Sequence, residues 1–381
     1  MPQQPAGSRP TGNRIDGVWP AAPAASGHGA LPVGATTLVL DRGPRPLTIE
    51  LWYPAAPGTQ PGGSYATLLR DGVTPITLHG RAARDARPGP GSSPLVILSH
   101  GYPGNRLLLS HFGETLASRG FIVASADHPQ STYADRGAFA DTLLNRPLDQ
   151  LSVLAQLMDH AFWGDHLQPR AAVIGYSMGA YGAMLAGGAG LSAQALTRED
   201  APPGLARFRA GSASLRSLGD PRLKAVVPIG LWGGQHGFWD RETLAAWALP
   251  CLLIGGSADA ISGWDPGIFG TFRSLKGRDQ WLLEFSGAGH NAAAPIPAPE
   301  ESWAPSPALD FLPAEHYADP VWPTVQMNAA AQAVVATFLT QHLKSGAPLA
   351  QDHPVNAPGA RALPQGFTGP EWENLSLTRA G

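Results

Sequence analysis

Continuous apolar runs recur along the chain, separated by segments with helical periodicity. Runs of this kind are typical of strands that are buried on both faces of a sheet. Six of them predict strands: PLVILSH (94–100), FIVASAD (121–127), AAVIG (171–175), KAVVPIG (224–230), CLLIGG (251–256) and QWLLEFS (280–286). Two earlier runs, TTLVLD (37–42) and LTIELWY (47–53), flank a turn-like stretch and predict an antiparallel pair that opens the sheet.

The segments between these runs predict helices, at 106–120, at 147–163 and at the end of the domain, about 324–344. In the second segment, apolar residues at spacings of three and four form one stripe: Leu151, Leu154, Met158 and Phe162. Because strands alternate with helices, we expect an α/β protein with a mostly parallel central sheet and helices on both faces.

The pattern also predicts where the domain begins and ends. Residues 1–30 are rich in Pro, Gly, Ala and Ser without periodicity, which indicates a flexible arm. The α/β domain is expected over 31–345, followed by a C-terminal extension, 346–381. Two stretches, 187–222 and 292–322, exceed ordinary loops and are predicted as lid-like insertions, since both are anchored close to the expected site. The alternative is a peripheral decoration packed on the sheet edge.

Composition favours a globular protein over a disordered one. Of the 381 residues, 43% are hydrophobic and only 14% are charged, while 46 Gly and 38 Pro indicate many loops. With 26 Lys and Arg against 29 Asp and Glu, the net charge is −3, and no basic block is present to hold a phosphate backbone. We therefore expect no nucleic-acid partner. The sequence does not indicate an oligomeric state.

The cysteine count and the hydropathy pattern bear on the compartment. Cys251 is the only cysteine, so neither an intrachain disulfide nor a cysteine-based metal cluster can form. Residues 1–30 lack the apolar run of a secretory signal, and no segment approaches 18 uninterrupted apolar residues. We expect a soluble, cytoplasmic protein without a membrane span.

The segment VIGYSMGAYGA (173–183) contains Gly-x-Ser-x-Gly directly after a predicted buried strand and before a run of small residues that tolerate a helix. This is the context of a nucleophile elbow, in which a serine on a strained turn exposes its hydroxyl above the sheet edge. Gly175 and Gly179 lack the side chains that would keep strand and helix apart. Ser177 is therefore the candidate nucleophile, against the alternative of a chance pentapeptide in a Gly- and Ala-rich chain.

A serine hydroxyl needs a base, and the base needs an orienting acid. His290 follows the strand predicted at 280–286, and Asp259 lies three residues past the strand predicted at 251–256. Both positions fall at carboxyl ends of strands, where sites in open α/β sheets assemble. The order Ser, Asp, His fits an elbow-type hydrolase. Asp265 and Glu284 are alternatives for the acid.

An oxyanion hole requires backbone N–H groups that point at the substrate carbonyl oxygen. Met178 supplies one by its position after the nucleophile, and the loop SHGYPGNR (99–106) offers Tyr102 as the second, because Pro103 has no N–H. Trp232 follows a strand end and is expected either to line the site or to belong to the core. ADHPQSTYAD (126–135) lacks metal-ligand spacing, and no cofactor motif is present, so we expect neither metal nor cofactor.

Together, these motifs resemble a known group of proteins. The stretches LWYPA, SHGYPGNR, ASADHPQST, RPLDQLSVLAQL, GYSMGAYGA, LKAVVPIG, GSADAI and GAGHNA resemble α/β-hydrolases of the predicted dienelactone hydrolase and type II platelet-activating factor acetylhydrolase-like esterase group. Similarity to bacterial cutinases and polyethylene terephthalate hydrolases is also visible. The resemblance covers about 33–345. It implies an α/β-hydrolase fold with Ser177 as nucleophile, Asp259 as acid, His290 as base, Tyr102 and Met178 as oxyanion donors and Trp232 as a substrate contact.

Two departures limit what the resemblance implies. Dienelactone hydrolases use a cysteine nucleophile, whereas the elbow here holds Ser177 and Cys251 lies inside a predicted strand. The polyester hydrolases are typically secreted, compact and disulfide-bonded, whereas this chain is longer and has one cysteine. Neither dienelactones nor polymers are therefore implied as substrates.

The sequence thus predicts a cofactor-independent serine hydrolase of small to medium esters with apolar or aromatic portions, acting through an acyl-enzyme. Amide hydrolysis and acyl transfer use the same residues and remain alternatives. A catalytically silent hydrolase fold that binds ligands is the alternative from another class; the expected sign, a missing member of the Ser-His-Asp set, is not seen.

Overall fold

A computed structural model describes residues 12–137, 139–277, 279–344 and 361–380. The predicted arm therefore lies outside the described residues over 1–11, and the predicted C-terminal extension does so over 346–360 and at 381. Within residues 12–30, Ile15 is buried, and its N–H donates to the carbonyl of His79 (2.9 Å). This part of the chain thus contacts the domain.

The described residues form one large sheet and a separate hairpin. The strands are β1 (Val33–Leu40), β2 (Leu47–Pro54), β3 (Gly63–Leu68), β4 (Pro75–Gly80), β5 (Ala83–Arg84), β6 (Ser93–Ser99), β7 (Ile122–Ala126), β8 (Leu167–Tyr176), β9 (Leu223–Ile229), β10 (Cys251–Gly256), β11 (Gln280–Phe285), β12 (Arg361–Ala362) and β13 (Leu375–Arg379). The sheet order is β12-β13-β11-β10-β9-β8-β6-β7-β2-β1-β5, and β3 pairs with β4 alone. The six strands from β7 to β11 are parallel, while β1, β2 and β13 pair antiparallel.

Helices cover both faces of this sheet. They are α1 (Ser110–Ala117), α2 (Phe139–Met158), α3 (Met178–Ala186), α4 (Ala193–Leu196), α5 (Ala213–Leu218), α6 (Phe269–Ser274) and α7 (Thr324–Lys344). Alternate side chains of a strand point to opposite faces. In β6, Val96 packs in the core with α1 and α7, and Ile97 packs in the core with α2, α3 and α6. The prediction of a mostly parallel sheet with helices on both faces is confirmed.

The two insertions carry short helices and no strand of the main sheet. The first, 187–222, contains α4 and α5, and the second, 292–322, contains two 3-10 turns, Glu300–Trp303 and Pro313–His316. Tyr317 and Trp322 of the second insertion are buried in the core that includes α7. Whether either insertion acts as a lid stays a prediction.

Across the described residues, none of the helices is both long enough and apolar enough to cross a membrane.

Candidate active site

Ser177 lies on a strained turn between β8 and α3. Its backbone angles are φ 53° and ψ −111°, which an L-residue adopts only when the surrounding structure imposes them. Two glycines allow this turn: a Cβ on Gly175 would collide with the Gly179 carbonyl, and one on Gly179 would collide with the Ser99 carbonyl. The side chain of Ser177 therefore projects from the carboxyl edge of the sheet, as the elbow motif predicts.

The imidazole of His290 lies between Ser177 and Asp259. Its Nε2 is 3.0 Å from Ser177 Oγ, and its Nδ1 is 2.8 Å from Asp259 Oδ2. A carboxylate can only accept, so Nδ1 carries the proton and Nε2 accepts from the serine hydroxyl. The ring of Tyr176 packs against this imidazole, with 5.1 Å between centroids. The structure thus brings together the three residues that the sequence singled out.

The other oxygen of Asp259 is fixed by the backbone. Its Oδ1 accepts the N–H groups of Ile261 and Ser262, each at 2.8 Å. Burial opposes ionisation of this carboxyl, but the hydrogen bonds from His290, Ser262 and Ile261 outweigh burial and lower its pKa. Asp259 is therefore an anion held in one orientation toward His290.

The two alternative acids have other partners. Asp265 pairs with Arg273 at 2.6 Å on an exposed part of the surface, and Glu284 pairs with Arg361 at 3.3 Å. Neither makes a contact with His290 in the described part of the chain. The geometry favours Asp259.

The loop after β6 abuts the serine. A Cβ built on Gly101 would lie 3.4 Å from Cβ of Ser177, so the Gly101–Tyr102 peptide is adjacent to the hydroxyl. Met178 is the first residue of α3, and its N–H begins the helix directly after the serine. These positions are the ones that the sequence predicted for two oxyanion donors, Tyr102 and Met178.

The guanidinium of a buried arginine is hydrogen-bonded to the backbone of that loop. Arg146 of α2 is 1% exposed, and its guanidinium donates to the carbonyls of His100 and Gly101 and to Ser131 Oγ (2.5 Å). The carbonyl of Gly101 also accepts from His100 Nδ1 at 2.7 Å. Burial, with a smaller effect of Arg45, lowers the pKa of Arg146 to about 9, which leaves it charged at neutral pH.

A second Ser-His-Asp arrangement lies beside this arginine. His128 Nε2 is 2.8 Å from Ser99 Oγ, and His128 Nδ1 is 3.1 Å from Asp149 Oδ2. Asp149 also pairs with Arg42 and Arg45. Because Ser99 is completely buried, its hydroxyl cannot meet a substrate, and the arrangement is structural.

The sequence analysis assigned no role to Arg146, His128 or Asp149. They lie in RPLDQLSVLAQL and ASADHPQST, two of the stretches that carry the family resemblance. A charged residue in a helix is usually exposed, so its burial could not be inferred from the residue type. The signal in the sequence that could have pointed to these residues is that both stretches are among those that resemble the family.

Trp232 belongs to an aromatic cluster next to the loop 99–106, the candidate oxyanion loop. Its ring is 5.1 Å from that of Phe139, which is in turn 5.1 Å from the ring of Tyr102, both edge-on. The guanidinium of Arg198, from the first insertion, lies 5.7 Å from the Trp232 ring. Trp232 is 9% exposed, so it is mainly a core residue whose cluster extends to the loop beside Ser177.

The second insertion supports the loop that carries His290. Asn291 Nδ2 donates to the carbonyls of Glu315 (2.7 Å) and Ala318 (2.8 Å), and its Oδ1 accepts from Tyr176 Oη at 3.1 Å. Asp319 Oδ2 accepts the N–H of Gly289 at 2.7 Å. These contacts fix both neighbours of His290, and the sequence analysis did not foresee them.

Comparison with known proteins places this geometry in context. Residues 64–153 match the family of platelet-activating factor acetylhydrolase, isoform II. The structure is similar to the ferulic acid esterase from Streptomyces cinnamoneus, with a TM-score of 0.61, 21% identity, and coverage of 91% of this chain and 97% of that one. The chain has the α/β-hydrolase fold. The predicted resemblance to the α/β-hydrolases is thereby confirmed. No curated protein sequence matches the chain.

Among the residues that the structure describes, no group of three or more His, Cys, Asp or Glu side chains could hold a metal ion.

Proposed function

We propose that the protein is a serine hydrolase that cleaves carboxylic esters through an acyl-enzyme on Ser177. The observation that carries the proposal is the position of His290, within hydrogen-bonding distance of both Ser177 Oγ and Asp259 Oδ2. The family match and the structural match support a carboxylic ester hydrolase.

In the proposed reaction, His290 Nε2 takes the proton of Ser177 as Oγ attacks the ester carbonyl carbon. The N–H groups of Tyr102 and Met178 stabilise the oxyanion of the tetrahedral intermediate. The imidazolium then gives its proton to the departing alcohol. Water, deprotonated by the same Nε2, releases the acid and restores the serine. Asp259 keeps Nδ1 protonated throughout and stabilises the imidazolium.

We further propose that the preferred esters are small to medium and carry an apolar or aromatic portion. The rings of Tyr102, Phe139 and Trp232 contact one another in turn, edge to face, and they form an aromatic surface beside the candidate oxyanion donor. Aromatic rings of a substrate pack favourably against such edges and faces. Trp232→Leu should lower kcat/KM for aryl esters more than for short aliphatic esters.

Fluorophosphonate labelling together with an ester panel tests the mechanism. The wild type should be labelled and should hydrolyse p-nitrophenyl esters, whereas Ser177→Ala should lose the label and several orders of magnitude of turnover. Ser217→Ala is the matched control, because Ser217 is an exposed serine on α5 that donates only to the Ser214 carbonyl.

Each other outcome has a distinct meaning. Turnover retained by Ser177→Ala would contradict the mechanism. Labelling without turnover of any ester would instead indicate amide hydrolysis or acyl transfer by the same residues. An unlabelled, well-folded wild type would indicate a silent hydrolase fold.

A further inference from the structure

Arg70 lies at the tip of the β3–β4 hairpin, between the loop that carries Tyr133 and the second insertion. Its backbone N–H donates to Tyr317 Oη at 3.1 Å. Gly72, at the same tip, is packed so closely on the carbonyl of Tyr133 that a Cβ there would collide. The hairpin tip therefore packs against both the loop that carries Tyr133 and the second insertion.

Each of these two segments is joined to one side of the candidate active site. The N–H of Tyr133 donates to the carbonyl of Gly104, which lies in the oxyanion loop (3.1 Å). The carbonyls of Glu315 and Ala318, on either side of Tyr317, accept from Asn291, the residue after His290. Arg70 is thus linked by hydrogen bonds and packing to both loops, the one after β6 and the one that carries His290.

The guanidinium of Arg70 has no carboxylate within 4 Å among the described residues, and its Nη1 is buried without a hydrogen-bond partner there. It lies 5.7 Å from the centre of the Phe311 ring. The adjacent Asp71 is already committed, because its two oxygens accept from Val73, Thr74 and Ser306. Burial lowers the pKa of Arg70, which expresses the free-energy cost of a cation held away from water without a counter-ion.

Apart from Asp71, the charged group next to Arg70 is a second cation. Arg136 Nη2 lies 3.5 Å from the carbonyl of Arg70, and Arg136 Nε lies 3.4 Å from the carbonyl of Tyr133. The neighbouring His316 bonds to Tyr133 Oη at 2.8 Å. Burial, with the charges of Arg70 and His290, lowers the pKa of His316 to about 3, so this ring is neutral near pH 7. Arg70 is therefore surrounded by a second arginine and neutral polar side chains, while the adjacent carboxylate of Asp71 is bonded elsewhere.

We propose that Arg70, with Arg136 beside it, binds an anionic group of the substrate, so that the enzyme prefers esters that carry a carboxylate in addition to the scissile bond. The proposal rests on the ester-hydrolase function proposed above. A guanidinium is suited to this task because its planar N–H pairs match the two oxygens of a carboxylate, and the ion pair would supply the missing counter-charge.

A matched pair of esters tests this proposal. p-Nitrophenyl pentanoate and p-nitrophenyl hemiglutarate have acyl chains of equal length, and only the second carries a carboxylate. The measured quantity is the ratio of kcat/KM for the hemiglutarate to kcat/KM for the pentanoate. Arg70→Met should lower this ratio by about 10- to 100-fold, the usual effect of losing a charge-assisted hydrogen bond. Arg70→Lys, which keeps the charge but not the planar donors, should fall in between.

Arg222→Met is the control for loss of one arginine. Arg222 is partly buried like Arg70, but it pairs with Asp220 at 2.7 Å and precedes β9, at the edge of the sheet opposite Ser177. The ratio of the two kcat/KM values measured for Arg222→Met should equal that of the wild type. If Arg70→Met hydrolyses both esters with the wild-type ratio, the anion site is wrong and the ester-hydrolase proposal stands. If the wild type hydrolyses neither ester and takes no fluorophosphonate label, both proposals fail.

Discussion

The contact between Arg146 and the oxyanion loop leads to a quantitative prediction. A peptide group is planar, and in a trans peptide its C=O and N–H point in opposite directions. The Gly101–Tyr102 peptide is trans, and its carbonyl is held by Arg146 and by His100 Nδ1. The N–H of Tyr102 must therefore point away from them. Arg146→Met should lower kcat because this peptide becomes free to rotate.

The size of the effect follows from what remains in the variant. Loss of one oxyanion donor lowers kcat by roughly 100- to 1,000-fold in serine hydrolases. Here the bond from His100 Nδ1 to the Gly101 carbonyl, at 2.7 Å, survives the substitution, so the proposed donor, the N–H of Tyr102, is loosened rather than removed. We expect kcat to fall by about 10- to 100-fold, or about 1.4–2.7 kcal/mol in the barrier. KM should change little, because this N–H binds the oxyanion of the transition state much more strongly than the carbonyl oxygen of the bound ester.

The same substitution should lower the free energy of unfolding by only about 1–3 kcal/mol. Charge-assisted hydrogen bonds from Arg146 are lost, at roughly 1.5–3 kcal/mol each, but so is the desolvation cost of a fully buried charge. Steady-state kinetics on p-nitrophenyl esters and urea denaturation measure the two quantities separately.

Arg42→Met is the matched control for the Arg146 variant. Arg42 pairs with Asp149 in the same polar network but makes no contact with the loop in the described structure. It should lose stability with little change in kcat. A folded Arg146→Met enzyme whose kcat lies within two-fold of the wild type would refute the positioning argument.

Two further substitutions follow from the elbow and the acid. Asp259→Asn should lower kcat by about 10,000-fold, because the amide no longer favours the Nδ1–H tautomer of His290, whereas Asp265→Asn should not; ester kinetics that reverse this order would overturn the acid assignment. In the folded protein the pKa of Asp259 is lowered from 3.8, so its carboxylate stabilises the fold above that pH. This contribution is lost as the pH falls through the lowered pKa. Acid titration below about pH 4 should therefore destabilise the wild type more than Asp259→Asn. Gly179→Ala should lower the free energy of unfolding by about 1–3 kcal/mol or more, since its Cβ would collide with the Ser99 carbonyl; an unchanged melting temperature would show that the strand and helix can move apart.

The parallel core of the fold could be predicted because its strands contain short apolar runs, although β8 begins at Leu167, before the run predicted at 171–175. β10, Cys251–Gly256, has the predicted limits, and β6, β7, β9 and β11 differ from the predictions by one residue or so at an end. A strand covered on both faces needs apolar side chains at every position, so its pattern is local and unambiguous. The residues that follow these strands were found for the same reason.

The elements that were missed depend on distant partners. The hairpin of β3 and β4 lies between the strands predicted at 47–53 and 94–100, where the sequence analysis predicts no element. In β4, exposed and buried residues alternate, as in a half-buried strand. β13 is a five-residue strand that completes the sheet edge by antiparallel pairing with β11. Short strands of this kind are stable only against their partners, which the sequence does not identify.

The sequence predicts a helix that begins at Pro147, but α2 begins at Phe139. Proline is typical of the first turn of a helix, because it has no N–H to donate, whereas Pro147 lies inside this helix. A start at 147 leaves out the part of the helix that carries Arg146. Arg146 precedes the proline, and with the start at 147 it would have belonged to a loop with no fixed direction toward His100.

The insertion after His290 makes hydrogen bonds that hold the loop carrying this histidine. Asn291 and Asp319 tie residues 315–319 to the two neighbours of His290, while Tyr317 receives the N–H of Arg70. Because Ile296 and Tyr317 are also buried in the main core, removing the insertion would expose apolar surface and release the histidine loop together. Point substitutions are therefore the better probe of this segment. A change at Phe311, which contacts Arg70 and is not fully buried, can alter substrate preference without loosening the base.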